Sequence, residues 1–376
     1  MSMGYVGLTM NVLVTGGAGF VGSHTAKELH RCGFGVVAMD NLKVGRRKAV
    51  RWGPLVEGGI QDTARLREAI RHYGVGAVVH LAADANARES AHLPRQYYET
   101  NVVGTLAVLD AMLTENVKRV VFASSCSVYG NLKGVAHESA PSSPISPYGE
   151  TKLFCEEVLR SYEAAYGLSW VAMRYFNVAG ADPEGEIGED HDPETHIIPK
   201  VILNCLGAHL PVEVLGVDHG TEDGTAVRDY VHVGDVASAN RLALQHLLAG
   251  GASGAVNIGS GVGSSVRQIV AAVEASTGAK ASIIPRPRHE GDPSWIVADA
   301  ARARAWLGWT PRNSSLGRIV GTAHSWLHSH GPAPRAREPL SVGEPTVEPP
   351  PRRPGEFGGQ PRPQEVRAPS GSHGVR

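Results

Sequence analysis

Short, unbroken apolar runs alternate with helix-length amphipathic segments through the first half of the chain. The runs are "NVLVTG" from Asn11, "GVVAMD" from Gly35, "AVVHLA" from Ala77, "RVVFASS" from Arg119 and "WVAMRY" from Trp170. They are short, continuous and rich in β-branched residues, which suits strands covered on both faces in a parallel sheet. Residues 151–166 read as a helix with Phe154, Val158, Leu159 and Tyr162 on one face. The alternation predicts an α/β fold, a doubly wound (Rossmann) parallel sheet over residues 10–180.

Beyond Gly180 the pattern loosens into polar loops such as "GADPEGEIGEDHDPETH". Residues 181–330 are expected to form a smaller, mainly substrate-binding lobe. It should interleave with the first domain, because "RDYVHVGDVASANRLAL" again reads as a strand and a helix. Residues 331–376 hold 11 of the chain's 24 prolines and few large apolar residues, so they are expected to be disordered. "PPPRRP" in that tail is weak evidence for a docking site. Residues 1–9 carry no lysine or arginine and do not resemble a secretory signal; they read as an upstream extension or an early start codon.

Charge and cysteine usage narrow the partners. There are 36 Lys+Arg against 37 Asp+Glu, a formal net charge of −1, so neither a nucleic acid backbone nor an anionic membrane is an expected partner. No stretch approaches the roughly 20 apolar residues of a membrane span. Cys32, Cys126, Cys155 and Cys205 form no C-x-x-C pair and match no zinc spacing. No metal is expected, and the thiols read as free and buried in a reducing cytoplasm.

Candidate chemistry starts at "VTGGAGFVGSH", after the first strand. Gly16, Gly19 and Gly22 permit a tight turn and close approach of backbone to a pyrophosphate. The helix that follows offers its N–H groups and positive dipole end. Asp40 ends the next strand, 21 residues after Gly19. A carboxylate there accepts hydrogen bonds from an adenosine ribose and repels a 2′-phosphate, favouring NAD over NADP. Arg46 and Arg47 support the converse, and Asp40 as a simple turn cap is the plain structural alternative.

Tyr148 and Lys152 are four apart and share a helix face. A nearby ammonium favours the phenolate, so Lys152 is expected to lower the Tyr148 pKa and make the tyrosine a base near neutral pH. "FASSCSVYG" ends another strand, where this architecture places ligands; Ser124 or Ser125 can hydrogen-bond a reacting hydroxyl there.

Together with "RESAHLPRQYYETNVVGTL", "SPYGETK", "RYFNVAGADPEG", "GTAVRDYVHVGDVA", "NIGSG" and "EGDPSWIVADAARARAWLGW", these pieces resemble the extended short-chain dehydrogenase/reductase family. The resemblance runs from about Asn11 to Trp326 and is strongest to the UDP-glucose (UDP-galactose) 4-epimerase branch. It implies retained NAD, a UDP-sugar substrate and a homodimer. Tyr148, Lys152 and Ser125 take the catalytic positions. The cofactor positions fall on Gly16, Gly19, Phe20, Val21, Gly22, Asp40, Asn41, Ile60, Leu81, Ala82, Ala83, Thr100 and Phe176, besides Tyr148 and Lys152. Asn177, Arg228 and Asp292, with Ser125, match substrate positions, and Asn101 matches an asparagine that shapes the site. A salt bridge from Arg228 to Asp229 or a neighbour is the competing reading of that arginine.

Three positions depart from the family pattern. Gly59 replaces an adenine-contacting aspartate, Ala85 a cofactor-contacting lysine and His289 a phosphate-binding arginine, with Arg286 or Arg288 as substitutes. Ile296 lies where relatives tune access for N-acetylated sugars. Cys126 and Ser127 stand where a 4,6-dehydratase carries acids, which argues against dehydration. A non-catalytic NAD-binding regulator is disfavoured because both Tyr148 and Lys152 are present.

Overall fold

The computed structural model describes residues 10–132, 134–208, 211–288 and 292–331. The 1–9 extension, His289 and the tail beyond Gly331 lie outside the described residues.

Seven strands form one parallel sheet: β1 Asn11–Thr15, β2 Gly35–Asp40, β3 Leu55–Glu57, β4 Val75–His80, β5 Arg119–Ser125, β6 Ser169–Tyr175 and β7 Gly254–Ile258. Their spatial order is β3-β2-β1-β4-β5-β6-β7. The five apolar runs are β1, β2, β4, β5 and β6. Val12, Val14, Val79, Val121 and Val171 pack on one face, and Leu13, Val37, Val78, Val120 and Ala172 on the other, within two separate apolar clusters. Burial on both faces is why these runs show no polar alternation.

The chain leaves β1 for β2 on one side and later returns to β4 on the other side of β1. That reversal opens a crevice outside the carboxyl ends of β1 and β4, the place where open α/β sheets bind ligands.

The helix Pro147–Tyr166 starts earlier than its apolar spacing predicts. Ser146 caps it by accepting from Gly149 N at 3.2 Å, Pro147 fits the first turn, and Gly167 closes it at φ +68°. Its predicted apolar face is only partly the buried one. Leu159 is buried and Val158 and Tyr162 are half-buried, but Phe154 is 52 % exposed. The helix instead buries Thr151, Lys152, Cys155 and Glu156, so a largely polar stripe replaces part of the apolar one.

The later residues interleave with the sheet. β7 pairs with β6, and the helix Val233–Leu248 packs on the helix Phe20–Arg31 through Asn240 Nδ2 to Thr25 Oγ1 at 3.0 Å. A second sheet is built around the strand Val227–His232, flanked by Gly263–Ser265 and Trp295–Ala298. A third apolar cluster joins Ile198, Ile202, Ile269, Ile319 and Trp326 beside it.

Candidate active site

Thr15, Asp40, His80, Ser125 and Tyr175 end parallel strands, so the segments after them share one edge of the sheet. The glycine turn occupies its centre. Gly16 has φ +70°, and a Cβ there would lie 2.8 Å from Ala82 N, so the turn abuts the Leu81–Ala83 segment. A Cβ on Gly22 would stand 1.9 Å from the Gly16 carbonyl oxygen, which is how closely the helix approaches the turn. Helix Phe20–Arg31 has no side-chain cap and no acid in its first turn. Its first N–H groups are therefore left to an outside acceptor, and the site fits a dinucleotide pyrophosphate.

Asp40 is buried and accepts from Ala18 N at 3.0 Å and Leu42 N at 2.8 Å. Both proposed uses are thus compatible: two backbone N–H groups fix the carboxylate, and each oxygen keeps a lone pair for another donor. Leu42 itself sits at φ +58°, an uncommon conformation for leucine held by that bond. Asn41 accepts from Lys43 N and is exposed. A Cβ on Gly59 would meet only the flexible Gln61 Oε1, at 3.1 Å. Neighbouring Ile60 is buried against Gly104.

His80 is buried between Thr15 Oγ1 at 2.7 Å and Thr105 Oγ1 at 3.0 Å. Burial, then the Lys152 ammonium, pushes its pKa down to about 3, so it is a neutral spacer that orients two hydroxyls. Thr100 and Asn101 lie in a wider helical turn, Tyr98–Val103, with the i→i+5 pattern often found at functional sites. Asn101 is buried, accepts from Asp84 N at 2.9 Å and donates to Asp84 O and Thr151 Oγ1, both at 3.0 Å. This pins the segment after β4 to the first turn of helix Pro147–Tyr166.

Tyr148 is in that turn. Its N–H donates to Ser90 Oγ at 3.1 Å, and its ring meets Tyr97 edge-on at 6.4 Å. The Ser125 hydroxyl acts on its phenol in the direction that lowers the pKa. Ser125 also donates to Ser127 Oγ and accepts from Ser127 N, each at 3.1 Å. Lys152 Nζ lies 5.9 Å from the Tyr148 ring centroid and donates to Ala123 O at 2.8 Å.

The electrostatics correct one expectation. Burial pushes the Tyr148 phenol up to about 12, against the opposing effect of Ser125, and pushes Lys152 down to about 8. Desolvation is the largest cause of both shifts, and neither side chain enters as a cause of the other's. The protein alone therefore holds a protonated tyrosine beside a lysine still mostly charged at pH 7.

The two serines, both buried, differ in their partners. Ser124 Oγ donates to Glu156 Oε1 at 2.5 Å, inside a buried pair of Glu156 with Arg174. Ser125 is the serine that acts on the tyrosine's phenol. Nothing in the local spacing signals Glu156–Arg174, because the partners come from different elements.

Arg228 does not pair with Asp229. The Asp229 carboxylate is saturated by Ser260 N, Ser260 Oγ, Gly261 N and Ala298 N, at 2.6 to 3.1 Å. Arg228 donates to Val227 O at 2.9 Å, and none of the described carboxylates lies within ion-pair distance of it. Burial lowers its pKa, opposed chiefly by Tyr230 and Asp292. A largely desolvated guanidinium without a carboxylate is a ready site for phosphate. Asp292 is held by Arg88 at 3.3 Å. Asn177 pairs in register with Tyr230, two residues from Arg228, and Phe176 is buried with its N–H on Ile258 O at 3.0 Å. Arg286 and Arg288 are exposed and paired with Glu213 and Asp218.

The sheet order, the glycine turn at its reversal and the Tyr148–Ser125–Lys152 group define a dinucleotide-binding Rossmann protein of the short-chain dehydrogenase/reductase type. The chain belongs to the NAD dependent epimerase/dehydratase family, whose profile matches residues 12–259. A UDP-glucose 4-epimerase of Halalkalibacterium halodurans is 42 % identical over 86 % of this chain and 97 % of its own length. That of Rhizobium meliloti is 43 % identical over 84 % and 96 %. A solved structure of UDP-glucose 4-epimerase from Brucella ovis in complex with NAD superposes with a TM-score of 0.82 at 47 % identity, covering 84 % of this chain and 98 % of its own. The Bifidobacterium longum enzyme, in complex with NAD+ and UDP, gives 0.81 at 32 % identity over 85 % and 99 %.

Proposed function

We propose that the protein interconverts UDP-glucose and UDP-galactose by transient oxidation at sugar C4. NAD is the cofactor, and when bound it takes the C4 hydride and returns it. The residues near Gly16, Gly19, Phe20, Val21, Gly22 and Asp40 hold it, with Leu81–Ala83, Thr100 and Phe176 along the crevice. Tyr148 accepts the 4-hydroxyl proton, Ser125 positions that hydroxyl, and Lys152 supplies positive charge that favours the phenolate. Arg228, Asn177 and Asp292 serve the uridine diphosphate end. The carrying observation is the Lys152 ammonium 5.9 Å from the Tyr148 ring at the start of one helix, with Ser125 at a strand end acting on the phenol, in a family of NAD enzymes.

Residues 181–330 are read as the mainly substrate-binding lobe. The exposed apolar side chains Tyr98, Val103 and Phe154, on neighbouring helices, support a homodimer, which light scattering tests. Four free thiols suit a reducing cytoplasm. None of the described helices is long and apolar enough to cross a membrane.

The purified protein, incubated with UDP-galactose and no added reductant, should form UDP-glucose with no net NADH, as read by NMR and absorbance. Conversion confined to N-acetylated or pentose UDP-sugars in the same panel would reassign the substrate. Stoichiometric NADH would replace the epimerase reading with a dehydrogenase one.

A further inference from the structure

The polar loop between the strand Asn177–Ala179 and the helix Ile197–Cys205 gathers Glu189, His191, Glu194 and His196. One ligand atom from each lies within 4.8 Å of the others. His191 Nδ1 stands 3.1 Å from Glu189 Oε1, His196 Nδ1 contacts the same oxygen, and Glu194 Oε1 is 3.8 Å from His196 Nδ1. Ligand atoms around a tetrahedral zinc, bound at roughly 2.0–2.1 Å, stand about 3.3 Å apart. Two of the cluster's separations, 3.1 and 3.8 Å, bracket that value, and the His196–Glu189 contact would open to admit the ion.

Its carboxylates face imidazoles and backbone N–H groups in place of a lysine or arginine. The Glu189 and Glu194 side chains are only 6 % and 11 % exposed, and no described lysine or arginine lies within 4.0 Å of either. Two buried carboxylates need a counter-charge. The neighbouring acidic group shows the contrast. Asp182, Glu184 and Glu186 surround the Lys27 ammonium at 2.8, 2.7 and 2.6 Å, so a lysine fills the position a cation would take. Among the described residues, imidazoles take that place around Glu189, and Glu194 Oε1 accepts from Thr195 N and His196 N at 2.7 and 2.8 Å.

We propose that Glu189, His191, Glu194 and His196 bind one divalent transition metal, zinc foremost, as a closed structural site. Two imidazoles and two carboxylates suit zinc, whereas magnesium and calcium prefer oxygen donors alone. The metal would tie the loop to the start of helix Ile197–Cys205. It would also brace the wall of a cavity whose lining includes Ile187, Asp190 and His191 on one side and Gly19, Phe20 and Ser23 on the other. A search confined to cysteine spacing overlooks these ligands; the sequence signal is the two histidines five apart in "EDHDPETH".

The test uses the full chain without a histidine tag, stripped with a chelator and dialysed. Zn2+ uptake is measured against a chromophoric chelator, and Co2+ uptake by visible absorption. We expect one equivalent, the strong visible bands of four-coordinate Co2+, no competition from Mg2+ or Ca2+, and a lower melting temperature in chelator. His191→Ala and His196→Ala should each weaken zinc binding at least about tenfold, while His92→Ala, at an exposed site, should not. His196 is 57 % exposed on its side chain, so that variant should fold, as circular dichroism would verify. No uptake by the stripped protein, or undiminished uptake by a folded His191→Ala/His196→Ala double variant, would overturn the assignment.

Discussion

Replacing Arg174 by methionine probes the buried ion pair beneath the candidate site. Arg174 lies on β6 and Glu156 on helix Pro147–Tyr166; Nε and Nη2 reach the two carboxylate oxygens at 3.0 and 2.6 Å. The side chains are 7 % and 1 % exposed, and Arg174 Nη1 also donates to Tyr129 OH at 2.9 Å. Removing one partner of such a pair costs about 3–5 kcal/mol, because the other charge stays buried and unpaired; replacing both by apolar groups is near neutral. Arg174→Met and Glu156→Leu should therefore each lose about 3–5 kcal/mol. The double variant should lose far less than their sum, with a coupling of at least about 2 kcal/mol. Urea unfolding followed by tryptophan fluorescence gives the three values. Additive losses would show that the pair does not act as a unit. Since Ser124 bonds Glu156 and precedes Ser125, Arg174→Met should also depress kcat more than it raises KM.

Tyr148→Phe should retain NAD and lose turnover by roughly 100- to 10,000-fold, the range for one proton-transferring group; near-normal turnover would remove the tyrosine from its role. Asp40→Ala should leave less NAD bound after gel filtration, and unchanged content would show the carboxylate is only a turn support. Gly22→Ala sets a Cβ against the Gly16 carbonyl, a backbone atom that no rotamer can move, and should cost about 1–3 kcal/mol with weaker NAD binding, measured by denaturation and titration. His24 and His80 are buried with pKa values pushed down to about 4 and about 3, below the unfolded 6.5. The unfolded chain takes up their protons first, so stability falls as pH drops below 6.5, by about 1.4 kcal/mol per pH unit for each. Flat stability between pH 6.5 and 5 would contradict their burial as neutral rings.

The parallel sheet was legible because its strands are buried on both faces and so write continuous apolar runs. The glycine turn and the Tyr148–Lys152 spacing were legible because turns and helix faces are local. Asn177, Arg228 and Asp292 entered only through family likeness, since each is brought in from a separate segment. Phe154 misled because helical spacing reports a face and not what covers it.

The amino-acid order alone set the strand and helix types, the anion-ready first turn and the tyrosine's neighbour at i+4, all of which depend on residues a few positions apart. Tertiary structure alone decided that Ser124 is taken up by Glu156, that Asp229 leaves Arg228 without a carboxylate, and that two acidic loop clusters differ in having a lysine. It also reversed the expected tyrosine pKa, because desolvation depends on everything packed around a group and not on its sequence neighbours.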